Sequence, residues 1–403
     1  MSSRVRQPPS VVVLDGEQRS ALAIVRSLGR HGHPVHVGAS VKRPLAGGSR
    51  CSTSETLLPD PATETNQFVT AVADLLDRTR ALVLLPVTDP AILAVLENET
   101  RFSGVRIPMA DLGHFLRASD KEATLALAER IGIETPHQWV MPDESAPVPG
   151  IPQERFPVVL KPSRSVRGSA GKRTKLGVSY AGSPVDLERA VANLPAASFP
   201  LLIQARITGP GIGIFLLRWE GAVRAVFAHR RIREFPPSGG VSVSAVSIEA
   251  PARLVEKAEA LLAALDWSGV AMVEFKQDAS SGRHFLMEIN PRFWGSLQLA
   301  IDAGVDFPTY LVQLALGEAV TPVREWRVGI RSRWGWGEVD YLIARLRGSP
   351  SSPNLPPDSP GILRVVAQAA TIWRPGQRGA VFRWSDPLPF VRESFSWFEE
   401  LRG

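Results

Sequence analysis

Short apolar runs alternate with amphipathic segments along roughly the first quarter of the chain. The first run, VVVL, is followed by apolar residues at helical spacing and then by a second apolar run. This order repeats as far as residue 107, with predicted strands at 11–14, 35–37, 82–85 and 105–107 and predicted helices at 21–28, 65–77 and 90–96. Strands that alternate with helices predict a parallel, doubly wound α/β sheet over about residues 10–115.

From about residue 116 the regular alternation ends, and the pattern predicts an α+β region. A helix begins at Ser119 or Asp120 and ends at Gly132. The further predicted elements are strands at 156–162, 174–181, 201–207, 212–219, 222–233, 269–278 and 283–292 and helices at 184–192, 251–265 and 293–303. Beyond residue 323, SSPNLPPDSPG predicts a loop or linker, and the aromatic-rich tail is expected to pack on the core.

The predicted hairpin over residues 269–292 contains acidic side chains within an apolar pattern. If GVAMVEFKQD and RHFLMEINPR pair around a turn at ASSG, Glu274 lies opposite Glu288. Because side chains alternate across a strand, Glu274, Glu288 and Asn290 then share one face. The opposite face is expected to enter a core and carries Val273, Phe275, Phe285, Met287 and Ile289.

Three oxygen donors on one sheet face are typical of a magnesium or manganese site. Glu274 and Glu288 repel each other unless a cation lies between them, and Asn290 adds a third oxygen. Oxygen ligands without histidine or cysteine suit Mg²⁺ or Mn²⁺, whose coordination nucleotide phosphates often complete. The alternative interpretation is a half-exposed strand with solvated carboxylates.

Composition limits the class of protein. The chain has 403 residues, of which 44% are hydrophobic, and this suggests two or three domains. It contains no apolar run of about 20 residues and no apolar stretch typical of a signal peptide, so we predict a cytoplasmic location without membrane contact. Cys51 is the only cysteine, which excludes a disulfide framework and a cysteine-based zinc site.

The net charge of +6 raises the question of an anionic partner. Nucleic acid is one such partner, but the basic residues occur singly or in pairs, without a long basic run. We therefore predict no nucleic-acid binding. The turn after the first strand, DGEQRS, also lacks the GxGxxG pattern of a dinucleotide site.

Four motifs in order carry a resemblance to a known superfamily. They are DK at 120–121, FPVVLKP at 156–162, LLIQARITGPG at 201–211 and the pair VEF and MEINPR at 273–275 and 287–292. Together they resemble the ATP-grasp superfamily, which includes biotin carboxylase, carbamoyl-phosphate synthase and the carboxylate–amine ligases.

The resemblance implies a Rossmann-like pre-ATP-grasp domain followed by a two-subdomain ATP-grasp fold. It predicts the first domain at 1–115, a small subdomain with a phosphate lid at 116–205 and a large subdomain with the metal site at 206–323. Residues 324–403 are expected to form a C-terminal segment that packs on the ATP-grasp domain. Homodimers are common in the superfamily, so a homodimer is one option for the assembly.

The resemblance also implies the ATP-binding residues. It places Lys121 and Lys161 at the phosphates and the glycine- and serine-rich segment 163–177 over them as a mobile lid, in which Arg167, Lys172 and Arg173 are alternative phosphate contacts.

The resemblance places Gln204 near the adenine amino group, with the backbone of Ala205 and Ile207 at the base edge. Relatives often carry Glu at or just after the position of Gln204, so Ala205 departs from the pattern. Met272, Met287 or Phe275 are alternatives for flanking the purine, although a core role is favoured for each.

Basic residues near the predicted metal site suggest catalytic and substrate contacts. In the resemblance, Arg292 stabilises the transferring phosphoryl group, since a guanidinium is bidentate and always charged. His229, Arg231 and Arg233 share one face of a predicted strand, and Arg231 is favoured for catalysis and, with Arg233, for substrate binding. Asp89 follows a strand end, where it is expected to contact substrate, to cap the next helix or to do both.

The resemblance implies an ATP-dependent ligase with Mg²⁺ or Mn²⁺. A carboxylate substrate attacks the γ-phosphate, and an amine substrate takes the acyl group from the acyl phosphate, with release of ADP and phosphate. The alternatives are an ATP-binding regulatory or scaffold protein without turnover and an ATP-grasp phosphotransferase. Fold alone does not decide between them.

Overall fold

The computed structural model of the chain describes residues 8–237, 239–347, 361, 363, 365–367 and 376–401. Within them it confirms the predicted combination of an α/β region and an α+β region. The predicted linker SSPNLPPDSPG lies outside the described residues, apart from its last residue, Gly361.

The first region is a parallel sheet with helices. Its elements are β1 (Val11–Val13), α1 (Arg19–Arg30), β2 (Val35–Ala39), β3 (Ser54–Leu57), α2 (Thr65–Thr79), β4 (Val83–Leu85) and α3 (Asp89–Leu96). The strands pair in the order β3-β2-β1-β4. The apolar pattern missed β3 because SETL is a polar edge strand without an apolar run. The predicted strand at 105–107 is reduced to one bridge between Val83 and Arg106, and Pro108, which lacks an amide hydrogen, follows it.

The second region is a small antiparallel sheet with helices. Its elements are α4 (Leu112–Ser119), α5 (Lys121–Arg130), β5 (Gln138–Met141), β6 (Val158–Pro162), β7 (Val166–Arg167), β8 (Thr174–Lys175), β9 (Ser179–Ala181), α6 (Pro184–Ala192) and β10 (Leu201–Ala205). The sheet has the order β5-β10-β6-β9, and β7 and β8 form a separate hairpin. The single strand predicted over 174–181 is therefore divided into β8 and β9.

The third region is a larger sheet that continues into the C-terminal segment. Its elements are β11 (Gly211–Trp219), β12 (Ala222–Phe235), β13 (Val241–Ser247), α7 (Ala252–Ala264), β14 (Gly269–Gln277), β15 (His284–Asn290), α8 (Leu297–Ala303), α9 (Phe307–Ala315), β16 (Arg331–Arg333), α10 (Gly335–Arg347), β17 (Gln377–Gly379) and α11 (Leu388–Glu400). The strand order is β15-β14-β11-β12-β13-β16-β17. The C-terminal segment thus adds strands to the large sheet, and the domain limits stay predictions.

Two apolar layers hold the large sheet in place. One face, which includes Ile214 and Phe275, packs on α7, α4 and α5. The other face, which includes Phe215 and Met272, packs on α8 and α9, and these helices in turn pack on α1. This shared core holds the carboxyl ends of β1 and β4 beside the large sheet.

Candidate functional site

A cavity of about 630 Å³ lies where the three regions meet. Its walls come from the small sheet, the large sheet and the loops after β1 and β4. A second cavity of about 330 Å³ shares Asp89, Glu288 and Asn290 with the first. Ligands of open α/β sheets bind at the carboxyl ends of the strands, which is where the larger cavity lies.

Strands β14 and β15 bring the three predicted oxygen donors together. Glu274 pairs with Glu288 across the antiparallel strands, as the hairpin pattern predicted. Asn290 Nδ2 donates a hydrogen bond to Glu288 Oε1 at 3.0 Å, and all three residues line the larger cavity. The described residues contain no cluster of three or more His, Cys, Asp or Glu suited to a metal, so any cation here depends on the amide and on ligand oxygens.

A β-bulge changes the apolar face that the hairpin pattern predicted. The register shifts after Glu274, so Phe275 pairs with Leu286 and Met287 is the extra residue. Leu286 is fully buried in the core, whereas Met287 lines the cavity. The prediction that Phe285 and Met287 share the core face of Phe275 is therefore wrong, because the bulge interrupts the alternation of side chains.

Two lysines from the second region face the acidic pair. Lys121 Nζ lies 3.5 Å from Glu288 Oε2 and donates to Ser165 Oγ at 3.0 Å. The pKa of Lys161 is lowered to about 8, mainly because the group is buried; the charge of Glu288 opposes this shift and the charge of Lys121 adds to it. The structure therefore brings both predicted phosphate-binding lysines to the acidic hairpin.

The two glutamates differ in how readily they ionise. Burial raises the pKa of Glu274, and the charge of Glu288 adds to this, although Arg231 opposes it. Burial also acts against ionisation of Glu288, but Lys121 and Lys161 outweigh it and lower the pKa of that carboxyl. Neighbouring carboxyl groups whose pKa values are shifted in opposite directions recur at functional sites.

The predicted catalytic arginines lie in the cavity and already bind carboxylates. Arg231 donates to Glu274 Oε2 at 2.5 Å and to Glu234 Oε1 at 3.3 Å. Arg292 Nε donates to Asp89 Oδ1 at 2.6 Å. The helix-capping alternative for Asp89 is wrong, because the side chain of Thr88 caps α3.

Arg233 lies away from the cavity that Arg231 lines. Its guanidinium donates to Glu338 Oε1 of α10 at 2.5 Å, and it is not part of the cavity wall. Two register shifts between Arg231 and Glu234 break the alternation from which a shared face was predicted. The expectation that Arg233 binds substrate with Arg231 therefore does not fit its position.

Part of the cavity wall is apolar and includes a hydrogen-bond acceptor without a partner in the described structure. Ala205, Ile207, Met272 and Met287 line it. Gln204 is 1% exposed, and its Nε2 donates to Gln138 Oε1 at 3.2 Å, but its own Oε1 has no partner in the described structure. A buried amide oxygen without a donor is costly, so a ligand N–H is expected there.

The glycine- and serine-rich segment 163–177 brings only one of its three candidate basic residues to a cavity wall. Arg167 lines the second cavity and donates to Ser163 Oγ at 2.6 Å. Lys172 is exposed and lies outside both cavity walls. Arg173 is buried against the first region in an ion pair with Glu97. Of the three alternatives, only Arg167 is placed for a phosphate contact.

Residues after β1 also line the cavity, and the sequence pattern did not reveal them. Asp15 accepts hydrogen bonds from the amides of Val87 and Thr88 at 2.9 and 2.8 Å, which ties β1 to the end of β4. Burial and nearby Asp15 raise the pKa of Glu17 to about 7. Arg19 lies on the same wall. The available signal was the position of DGEQRS at a strand's carboxyl end.

Comparison with known families finds partial matches. Residues 198–337 match the model of a family described as ATP-grasp in the biosynthetic pathway with Ter operon. Over 204 residues, or 47% of this chain, the sequence is 29% identical to the vancomycin/teicoplanin A-type resistance protein VanA of Enterococcus faecium. The match covers 56% of that relative, so the chain spans little more than half of its length.

Solved structures share the fold at low sequence identity. The L-amino acid ligase from Bacillus licheniformis has a TM-score of 0.59 and 16% identity, over 78% of this chain and 76% of that one. The biotin carboxylase domain of the Hydrogenobacter thermophilus 2-oxoglutarate carboxylase, solved with MgADP, ADP and bicarbonate, has a TM-score of 0.60 and 15% identity, over 81% and 74%. In the described part of this chain, none of the helices has the length and apolarity needed to span a bilayer.

Proposed function

Because this chain belongs to the ATP-grasp superfamily, we propose that it is an ATP-dependent ligase that joins a carboxylate to an amine. One observation carries this proposal: a cavity joins an apolar wall with an open acceptor to a paired acidic site with Lys161, and Lys121 lines the adjoining cavity beside Glu288. The apolar wall suits a purine, and the acidic site with its lysines suits the phosphates of ATP. The names of the relatives, a resistance protein and an L-amino acid ligase, support small-molecule substrates.

The adenine is proposed to bind between the methionines of the apolar wall. Gln204 Oε1 then accepts a hydrogen bond from the adenine amino group, which satisfies its open position. The backbone of Ala205 and Ile207 is available to the base edge, and Met272 and Met287 flank the ring. Burial of flat apolar surface supplies much of the affinity in such pockets.

The phosphates are proposed to lie against Lys121, Lys161 and Arg167. Lys121 already lies beside Glu288 and the loop residue Ser165, and Arg167 reaches the same region from the loop. Closure of this loop over the triphosphate would exclude water from the reaction.

The acidic pair fits a divalent cation. Glu274, Glu288 and Asn290 offer hard oxygen atoms, and the like charges of two buried glutamates favour a cation between them. We propose that they hold Mg²⁺ or Mn²⁺, which when bound neutralises charge on the β- and γ-phosphates. The MgADP in the Hydrogenobacter thermophilus structure supports this for the fold.

The reaction is proposed to proceed in two transfers. A carboxylate oxygen of the substrate attacks the γ-phosphorus, an O–P bond forms, and the bond to the β,γ-bridging oxygen breaks to release ADP. The amine nitrogen then attacks the acyl carbon, a C–N bond forms, and phosphate leaves as the nitrogen loses a proton. Arg292 and Arg231 would neutralise the negative charge that gathers at the transferring group, and Asp89 would position Arg292.

The test is ADP release in the presence of pooled carboxylic acids and amines. We expect ADP and phosphate to form only when both a carboxylate and an amine are present, and hydroxylamine to trap the acyl phosphate as a hydroxamate. Tight Mg·ATP binding without ADP release would favour a regulatory or scaffold protein. ADP release with a stable phosphorylated product would favour a phosphotransferase.

Small soluble substrates also favour a cytoplasmic enzyme, and a homodimer stays a prediction.

Glu288→Gln is the direct test of the acidic site. We expect ADP release to fall roughly 100-fold or more, because an amide cannot replace the anionic ligand that faces Glu274 and Lys121. Circular dichroism and the melting temperature should stay close to those of the wild type. The matched control is Glu318→Gln at an exposed position outside the cavity. Normal turnover by Glu288→Gln would refute the assignment.

A further inference from the structure

Arg19 lies at the end of the cavity formed by the first region. It is the first residue of α1, and its guanidinium lies over the ring of Trp334 at 3.9 Å. Its NH1 donates to the carbonyl oxygen of Ser242 at 3.2 Å. A side chain at Gly295 would begin 3.1 Å from Arg19 NH2, so the glycine leaves room for the guanidinium. The large sheet and the C-terminal segment thus hold the guanidinium at the cavity wall.

Arg19 differs from the cavity arginines that form ion pairs. Arg231 binds Glu274, and Arg292 binds Asp89. Within the described ranges, no carboxylate oxygen lies within 4.0 Å of the Arg19 guanidinium. The acidic group that influences it most is Glu393, whose carboxylate accepts a hydrogen bond from Trp334 instead. Arg19 therefore has a positive charge beside the cavity without a direct counter-charge.

The surroundings of Arg19 favour an anion. Burial lowers its pKa to about 10, so the side chain is still charged at neutral pH. The first turn of α1 contains no acidic residue, and the N-cap residue, Gln18, makes no side-chain cap hydrogen bond. The positive end of the helix dipole therefore adds to the charge of the guanidinium. A partly buried charge without a counter-charge is unfavourable, and an anionic ligand group would relieve this cost.

We propose that Arg19 binds an anionic group of the substrate, a carboxylate or a phosphate, other than the carboxylate that is activated. The inference rests on the proposed ligase function and names its substrate class: one substrate carries an acid remote from the reacting group. The reacting carboxylate belongs near Arg292 and Glu288, whereas the Arg19 guanidinium lies against Ser242 and Trp334. Arg19 then acts as a specificity-determining residue, and it is not among the site residues predicted from the sequence.

The experiment uses pairs of compounds that differ in one anionic group. The pairs are L-aspartate with L-asparagine, L-glutamate with L-glutamine, and O-phospho-L-serine with L-serine. We measure ADP release with Mg·ATP and binding by calorimetry to the full chain loaded with Mg·ADP. We expect the wild type to prefer an acidic member of at least one pair by 10-fold or more. The dicarboxylate pairs and the phosphoserine pair distinguish a carboxylate from a phosphate.

Arg19→Met removes the charge while it keeps a long side chain. We expect it to weaken binding of the preferred acidic compound and to raise its KM about 10- to 100-fold, with little change in kcat. Values for the neutral compound should stay constant. Arg19→Lys should recover part of the preference, and it provides a second folded variant if Arg19→Met does not fold. Arg30→Met, at the exposed far end of α1, is the matched control.

The outcomes separate this inference from the ligase proposal. Acid-dependent binding that disappears in Arg19→Met supports the anion site even if no compound yields ADP. Turnover with equal preference in the wild type and in Arg19→Met and Arg19→Lys overturns the anion site and leaves the ligase intact. An equal loss of acidic and neutral compounds in both variants also overturns it, because a structural role would produce that result.

Discussion

Buried charges give individual residues around the cavity their chemical character. Glu274 and Glu288 share a sheet face, but their pKa values shift in opposite directions. Two lysines lower the pKa of Glu288, whereas burial raises the pKa of Glu274. Glu17 is another carboxyl on the wall, and one of its oxygens is buried without a hydrogen-bond partner in the described structure. Such a group favours its neutral form, since charging it requires transfer of an ion out of water.

Glu17→Gln should change how stability depends on pH. Burial raises the pKa of Glu17 from 4.5 to about 7, so between these values the folded state holds a proton that the unfolded chain has lost. The wild type therefore loses stability as pH rises from 4.5 to 7, and the variant lacks this component. We expect the variant to gain stability relative to the wild type across that window, measured by melting temperature at a series of pH values. A constant difference between the two proteins would contradict the raised pKa.

At the scale of elements, the β7–β8 loop is attached to the first region rather than to its own sheet. The amide of Gly171 donates to Thr65 Oγ1 at 2.9 Å, and the amide of Arg173 donates to Ala62 O at 3.1 Å. The Arg173 side chain, 1% exposed, forms an ion pair with Glu97. The loop that reaches the predicted phosphates is thus held by α2 and the end of α3.

Arg173→Met should release this attachment. The substitution preserves most of the side-chain length but leaves Glu97 and Thr65 without their cation. We expect faster amide hydrogen exchange at 168–175, with little change in the large sheet, because the loop loses its anchor. Thr174→Ala, an exposed change in the adjoining strand β8, should leave exchange unaltered. Unchanged exchange in Arg173→Met would show that the loop does not depend on the ion pair.

At the scale of the whole molecule, a buried ion pair joins the C-terminal segment to the first region. Arg26 of α1 is 1% exposed, and its Nε donates to Asp386 Oδ2 at 2.8 Å. Asp386 also accepts from Ser49 Oγ at 2.7 Å and from the amide of Arg50 at 2.9 Å. The pair thus attaches the C-terminal segment, which includes Trp334, to α1, which begins with Arg19.

Asp386→Asn should destabilise the fold strongly. It leaves the Arg26 guanidinium buried without a counter-charge, and removal of one partner of a buried pair costs about 3 kcal/mol or more. Urea denaturation and proteolysis of the C-terminal segment measure the effect. Asp77→Asn, at an exposed position of α2, is the control and should have little effect. Equal stability of the two variants would show that the pair contributes little.

Sequence patterns predicted the elements in which apolar and polar side chains alternate regularly along the chain. The apolar alternation of β14 and β15 placed Glu274 opposite Glu288, and the pairing is present. The same reasoning failed for Met287 and Arg233, because β-bulges insert residues that a period of two cannot anticipate. Strand β3 was missed for a related reason: a polar edge strand has no buried face to give a pattern.

The sequence by itself determined the helices and strands that have a regular apolar pattern, the acidic hairpin and the motifs of the superfamily, since these depend on spacing along the chain. Only the tertiary structure decided which charges meet. Arg19, Trp334 and Ser242 are far apart in sequence, and no local pattern relates them. Their contact follows from the shared core that packs α1 on the large sheet. This packing leaves Arg19 at the cavity wall without a carboxylate, whereas Arg231 and Arg292 form ion pairs with carboxylates.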